Sequence, residues 1–255
     1  LHPVIGVHLI LAFAGIRRRM GFDRKYGFLL TDRVSHVKQY GEKHESEYAL
    51  DLVRRLGLEP KDIEPILPVC AAAEKWADEL LTREGVIGSD RLLVIHPGAS
   101  CPSKIWPNER FAQVADRLAD KYGFKTFVIA GPKDRALADS IIKGMRRAAV
   151  NLAGNISLSQ LASLLRRSHL FISSDSGPVH MAAALGVPLV SLFARNEPGL
   201  SPKRWGPLGR RSRILHKQVG CLKCLAHNCI RGFACLKAIS VEDVCLAAES
   251  VLNLD

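Results

Sequence analysis

The sequence predicts an α/β fold whose main part is a parallel sheet that begins near residue 91. Short apolar runs typical of buried strands alternate there with helical stretches of about ten residues or more, a pattern that gives parallel strands joined by right-handed crossovers. The length of 255 residues also exceeds that of one ordinary domain, which indicates two domains, or one and part of another. We expect strands at residues 92–96, 125–130, 150–152, 169–173 and 189–193.

The stretch from 171 to 193 reads as two of these strands joined by a tight polar turn and a short helix. The turn is Asp175-Ser176-Gly177-Pro178, in which glycine permits close backbone approach and proline suits a first helical position. A helix that starts directly after a strand turns free N–H groups toward the carboxyl edge of the sheet, where a phosphate can bind. A plain strand–helix packing unit explains the same stretch equally well.

Three loops follow strands of the predicted sheet, at residues 97–104, 131–134 and 174–180. Because loops after parallel strands gather at one edge, we expect these three to form a common ligand site. Their side-chain donors and the N–H groups of the following helix suit a diphosphate. The donors are Ser103, Lys104, Ser176 and His180.

Acidic residues in these loops suit a ribose. Asp134 or Asp175 is placed to accept from ribose hydroxyls, as acidic residues do in other nucleotide sites. Neither GxGxxG nor GxxxxGK[ST] occurs in the chain, so the dinucleotide and P-loop fingerprints do not apply. Taken alone, each residue is also explained as a surface or capping group, and His180 as a group that satisfies a backbone carbonyl.

The composition favours an anionic partner. Lys and Arg number 36 against 25 Asp and Glu, a formal net charge of +11, which fits a nucleotide, nucleic acid or an acidic membrane surface. Aromatic residues make up only 6% of the chain and are not interleaved with the basic ones, which argues against a single-strand nucleic-acid face built on stacking. No apolar run reaches the roughly 18 residues that a membrane span needs. The chain starts at Leu1 without a signal-peptide pattern, and we expect that an N-terminal portion precedes it.

Seven cysteines without an export pattern indicate a reducing compartment. Four of them, Cys221, Cys224, Cys229 and Cys235, have the spacing C-x2-C-x4-C-x5-C. Four thiolates this close are able to hold zinc or an iron–sulfur cluster. The usual zinc layout separates two ligand pairs by a longer loop, so a packed cysteine-rich loop or a labile disulfide is the preferred interpretation.

The first segment, residues 1–84, has few strand signals. Residues 45–56 and 71–81 have helical spacing, and residues 28–30 fit a short strand. The segment is too short and too poor in strands for a complete doubly wound domain, and we interpret it as the remainder of one.

Several motifs together resemble the ADP-heptose:lipopolysaccharide heptosyltransferases, glycosyltransferase family 9. They are HPGAS-x-x-SK-x-WP from His96, NLAG-x-x-SL-x-QLASLL from Asn151, SSDSGPVHMAAALGVPLVSLF from Ser173, and the cysteine loop with the ending that follows Cys235. They occur in the family's order over roughly the last two thirds of the chain. GIRRRMGFD and FLLTDRV, nearer the start, resemble the later part of the family's N-terminal half.

The resemblance implies a GT-B architecture, in which two Rossmann-like domains face each other. Residues 1–84 would then be the remainder of the acceptor-side domain, 85–239 the nucleotide-sugar domain, and 240–255 a C-terminal helix that crosses back to the first domain. Ser240 is expected to cap that helix, with Asp243 at the capping-box position.

The resemblance also implies the reaction, in which heptose passes from ADP-heptose to the lipopolysaccharide inner core with inversion. No cofactor is required, since donor groups at the sheet edge neutralise the departing diphosphate. Asp134 falls near the family's ribose contact and Leu158 near its adenine pocket. The implied diphosphate ligands are Ser103, Lys104, Asp175, Ser176, Gly177 and His180.

The family's catalytic base, an Asp beside a glycine-rich first strand, has no matching segment in this sequence. We therefore expect donor binding without turnover unless an upstream portion supplies it. The family's acceptor is anionic and lies at the cytoplasmic face of the inner membrane, so we expect peripheral association with that membrane. Arg17, Arg18 and Arg19 are candidate contacts. Nucleic acid is not expected as a partner. The alternatives are another GT-B enzyme (an epimerase or an N-acetylglucosaminyl transferase) and a non-catalytic anion-binding module.

Overall fold

The computed structural model describes residues 5–61, 64–221, 223–224 and 226–253. The chain divides into two units, one comprising Leu1–Ile63 with Pro198–Trp205 and the other Glu64–Glu197 with Gly206–Asp255. This boundary differs from the expected one at residue 84, because the helix before that residue belongs to the second unit.

In chain order the helices are α1 (Ile5–Phe13), α2 (Glu45–Arg54), α3 (Ala71–Arg83), α4 (Asn108–Tyr122), α5 (Arg135–Gly144), α6 (Leu158–Arg167), α7 (Gly177–Ala184), α8 (Pro202–Trp205), α9 (Ala234–Lys237) and α10 (Val241–Leu252). The strands are β1 (Met20–Asp23), β2 (Asp32–Ser35), β3 (Arg91–His96), β4 (Phe124–Val128), β5 (Ala149–Asn151), β6 (Leu170–Ser174), β7 (Leu189–Phe193) and β8 (Ser212–His216).

The first unit contains a parallel pair of short strands, β1 and β2, with Met20 opposite Asp32. Of residues 28–30, which were expected as a strand, the first two lie in a 3₁₀ turn at Gly27–Leu29, and the Leu30 N–H donates to the Gly27 carbonyl to close that turn. Lys38 is buried and pairs with Glu45 at the start of α2.

The second unit is a six-stranded, fully parallel sheet with the order β5-β4-β3-β6-β7-β8. This is the doubly wound order 3-2-1-4-5-6, in which the chain reverses direction across the sheet between β3 and β6. Residues of β3 alternate between two apolar layers. Leu93 and Ile95 pack with α4 and α10, whereas Leu92 and Val94 pack with α3, α6 and α7.

Two helix starts carry a capping box, and the one at α10 confirms the sequence prediction. Ser157 and Gln160 form a capping box at α6, and Ser240 and Asp243 form one at α10. Within the second unit, α10 packs on α4, β7 and β8, and its crossing to the first domain stays a prediction. In the described part of the chain, no helix is long and apolar enough to span a membrane.

Candidate functional site

The three predicted loops meet at the carboxyl edge of the sheet, beside the switch point between β3 and β6. A Cβ added to Gly98 would lie 2.6 Å from Asp134 Oδ2, so the loops after β3 and β4 are in contact. Lys104 Nζ lies 2.7 Å from Asp175 Oδ2, which joins the loops after β3 and β6. A crevice at such a switch point is where open α/β sheets bind ligands, and the predicted convergence is confirmed.

Lys104 and Asp175 form a mostly buried ion pair, with side chains 16% and 9% exposed. Lys104 ends a 3₁₀ turn at Pro102–Lys104, and Asp175 directly follows β6. The carboxylate holds the ammonium group at the edge of the sheet, so a ligand there meets a cation whose position is already fixed.

The start of α7 is left without a side-chain cap. Ser176 is the N-cap residue, with an extended backbone (φ −154°, ψ 168°), but its hydroxyl does not bond to the helix. Its Oγ lies 3.1 Å from His96 Nδ1 and 3.1 Å from Ser173 Oγ instead. The first N–H groups of α7 are therefore not capped by this side chain, which suits an anion.

The two other predicted α7 ligands lie on the helix itself. Gly177 is its first residue and is exposed. His180 follows three residues later, is half-buried and already interacts within the protein.

His96, which was not assigned from the sequence, contacts two serine residues of the site. It ends β3, and its Nδ1 lies 3.2 Å from Ser173 Oγ as well as next to Ser176. Burial lowers the pKa of the His96 imidazole to about 4, so the ring is neutral at physiological pH. A polar residue at the end of a strand that faces a switch point is the signal that identifies it.

Acid should destabilise the protein through His96. The pKa of about 4 lies below the 6.5 of the unfolded chain, so between these values the unfolded state binds a proton that the native state does not. The free energy of unfolding therefore decreases as the pH is lowered. We expect the free energy of unfolding to drop by about 2 kcal/mol more between about pH 7.5 and about pH 5 in the wild type than in His96→Gln. Urea unfolding at both pH values measures this. His227→Gln, which removes an exposed histidine, is the matched control, and equal pH dependence in all three proteins would contradict the assignment.

The predicted nucleoside contacts are both at the surface of the second unit. Asp134 is half-buried, in a 3₁₀ turn after β4, and lies against Gly98. Leu158 is the first residue of α6, and 74% of its surface is exposed.

Ser103 is 3% exposed and belongs to a small cluster that the sequence analysis missed. Its Oγ lies 3.3 Å from Cys101 Sγ, and Arg195 Nη2 lies 2.8 Å from the same sulfur. Although burial opposes ionisation of the Cys101 thiol, the Ser103 hydroxyl and the Arg195 guanidinium lower its pKa.

The four clustered cysteines all line one cavity of about 250 Å³. All are free thiols, and burial together with Cys229 and Cys224 raises the pKa of Cys235. Within the described residues, no three His, Cys, Asp or Glu side chains are arranged to hold a metal ion.

The three arginines of the first unit differ in their contacts. Arg18 pairs with Asp32 at 3.2 Å, and Arg19 donates to the Leu29 carbonyl at 2.8 Å. Arg17 is exposed.

A doubly wound sheet with a cation and an uncapped helix start at its switch point is typical of α/β proteins that bind nucleotides. The chain belongs to glycosyltransferase family 9 (heptosyltransferase), whose family model matches residues 5–234. The predicted α/β fold is confirmed by the parallel sheet, and its GT-B type by the solved structures described below.

Relatives and solved structures agree with this family. Lipopolysaccharide heptosyltransferase 2 of Salmonella typhimurium is 27% identical over 234 residues, covering 88% of this chain and 66% of the relative. Lipopolysaccharide heptosyltransferase 3 of Escherichia coli K12 is 28% identical over 246 residues, covering 93% and 69%. The chain thus spans about two thirds of their length.

Two solved structures share the fold. The glycosyl transferase family 9 protein of Veillonella parvula DSM 2008 has a TM-score of 0.82 at 24% identity, covering 99% of this chain and 72% of that one. The E. coli ADP-heptose lps heptosyltransferase II has a TM-score of 0.76 at 24% identity, covering 98% and 74%.

Proposed function

We propose that the protein is a heptosyltransferase, that the sheet edge binds the diphosphate of ADP-heptose, and that heptose passes to the lipopolysaccharide inner core with inversion. The observation that carries the proposal is the Lys104–Asp175 pair beside the uncapped start of α7. Family membership supports the sugar transfer, and the names of the relatives support heptose and the lipopolysaccharide acceptor.

The chemistry assigned to these residues is stabilisation of the leaving group. As the bond between the sugar and the diphosphate breaks, negative charge grows on the departing phosphate oxygen. Lys104 and the N–H groups at the start of α7 are positioned to meet that charge without reorganising, which lowers the barrier. In this proposal no metal or cofactor is needed. The acceptor hydroxyl must lose a proton to a base, and we assign no described residue to that role.

Calorimetric titration with ADP and with UDP tests the donor assignment. We expect saturable ADP binding and at least tenfold weaker UDP binding, since adenine and uracil need different pockets. Stronger UDP binding would favour another GT-B nucleotide-sugar enzyme. Failure to bind either nucleotide would favour the non-catalytic anion-binding module.

We also propose peripheral association with an anionic membrane surface, supported by the net charge of +11 and by exposed Arg17. Binding to vesicles with anionic lipid should weaken several-fold from about 50 to about 300 mM salt, because screening shortens the range of the attraction. Arg17→Gln should weaken binding about fivefold, from a loss of about 1 kcal/mol per basic residue near the surface. Vesicle co-sedimentation measures both effects, and binding that is insensitive to salt would refute the association.

A further inference from the structure

The second unit carries a guanidinium group that the donor site does not use. Arg195 follows β7 by two residues and so lies at the same sheet edge as the candidate site. Its Nη2 contacts Cys101 in the 97–104 loop, two residues before Ser103. Its Nε is buried and has no hydrogen-bond partner among the described residues. Because an unpaired buried donor is costly, a ligand whose acceptor atom reaches this N–H would gain from pairing with it.

Arg195 and Ser103 line the cavity of about 250 Å³ that the cysteine loop also borders. The described lining includes four cationic residues and no carboxylate. One of the four, Lys217, is neutralised by Asp243 at 2.9 Å. The cations are Arg195, Lys217, Lys223 and Arg231. An excess of positive charge around an enclosed space favours an anion.

The remaining lining limits what kind of anion fits. Val219, Ile230 and Phe233 contribute apolar surface to the same cavity. A small inorganic ion gains nothing from such surface, whereas the C–H face of a sugar ring packs against it. The lining therefore fits an acidic sugar better than a free ion.

The cavity is contiguous with the diphosphate loop through consecutive residues. Ser103 lines it, and the next residue, Lys104, is the cation of the candidate donor site. The Cys101 thiol lies between Arg195 and Ser103, at 2.8 Å and 3.3 Å. These contacts hold the guanidinium in place before any ligand arrives, which reduces the entropy cost of binding.

We propose that this cavity is a second anion subsite, in which Arg195 binds the carboxylate or phosphate of an acidic sugar while the neighbouring loops hold the donor diphosphate. The inference rests on the proposed function, because it assigns the cavity to the acceptor of that transfer. It adds an acid-recognising residue on the donor-binding unit.

The experiment uses ligand-observed NMR titration of the full chain saturated with ADP. The probes are methyl galacturonate, galactose 6-phosphate and neutral methyl galactoside, which separate carboxylate, phosphate and sugar recognition. We expect at least one acidic probe to bind about tenfold or more tightly than the neutral one, without displacing ADP. Arg195→Met should remove that advantage, and Arg195→Lys, which keeps the charge but lacks Nε, should remove part of it.

The controls separate this inference from the proposed function. ADP affinity in Arg195→Met should stay within about twofold of wild type, which also reports that the variant is folded. Lys143→Met, which removes an exposed charge on α5, should leave all three probes unaffected. Equal binding of acidic and neutral sugars, or acidic binding that survives Arg195→Met, would overturn the subsite. Acidic probes that displace ADP would place the anion in the diphosphate site and equally overturn it. Failure of ADP to bind would instead refute the donor assignment, and the acidic probes would still test Arg195 directly.

Discussion

Lys104→Met should weaken ADP binding by about 10- to 150-fold, the loss of about 1.5–3 kcal/mol that removing one charge-assisted hydrogen bond produces. Methionine keeps the aliphatic stem, so the change isolates the ammonium group. Isothermal titration with ADP measures the effect. The matched control is Lys143→Met, since Lys143 is an exposed lysine on α5, and it should bind ADP as wild type does.

The same substitution has a second effect, because it leaves Asp175 mostly buried without its counter-ion. An unpaired carboxylate in that position should lower the free energy of unfolding by about 1–3 kcal/mol. The double variant Lys104→Met/Asp175→Asn removes both charges and should recover much of that stability. If affinity is a property of the ammonium group, the double variant stays weak in ADP binding. Recovery of affinity together with stability would show that Lys104 acts only through the fold.

The sequence predicted those features that are encoded locally. The capping box Ser240–Asp243 lies within four residues of one helix start, and β3 is a single apolar run. The edge shared by the three loops also followed from the sequence alone, because parallel strands with right-handed crossovers place their following loops on one side. The roles of the candidate ligands were inferred on that basis.

The contacts that finish the site depend on strand order, which no local pattern specifies. His96 and Ser173 are 77 residues apart, and Arg195 and Cys101 are 94 apart. They meet because β3 lies next to β6, and β6 next to β7. For the same reason, the pairing of Lys104 with Asp175 was not foreseen, although both residues were assigned to the site. The edge strand β8 is only half-buried along its whole length, so it lacks the apolar run that identified β3.

Gly177 offers a test of whether the space at the start of α7 is reserved for a ligand. Its φ does not lie in the left-handed region, and a Cβ added to it would meet no heavy atom within 4 Å. Apart from the chain neighbours, packing therefore does not require glycine at this first helical position, although Pro178 disfavours a helical backbone for a preceding residue that carries a Cβ. A diphosphate that approaches the helix start closely is a second physical reason for glycine, and ligand binding distinguishes it from the first.

Gly177→Leu should leave the protein folded, with at most a modest fall in the thermal midpoint of unfolding from the contact with Pro178, while ADP affinity falls by about 10- to 150-fold through loss of a charge-assisted hydrogen bond at the blocked helix start. Gly177→Ala should give a smaller loss, because its side chain reaches less far. Gly88→Leu is the matched control, since a Cβ at Gly88 also meets no heavy atom within 4 Å, and it should bind ADP normally. Differential scanning fluorimetry and calorimetric titration measure the two quantities. A Gly177→Leu protein that is stable and binds ADP with wild-type affinity would show that the diphosphate does not lie at the start of α7.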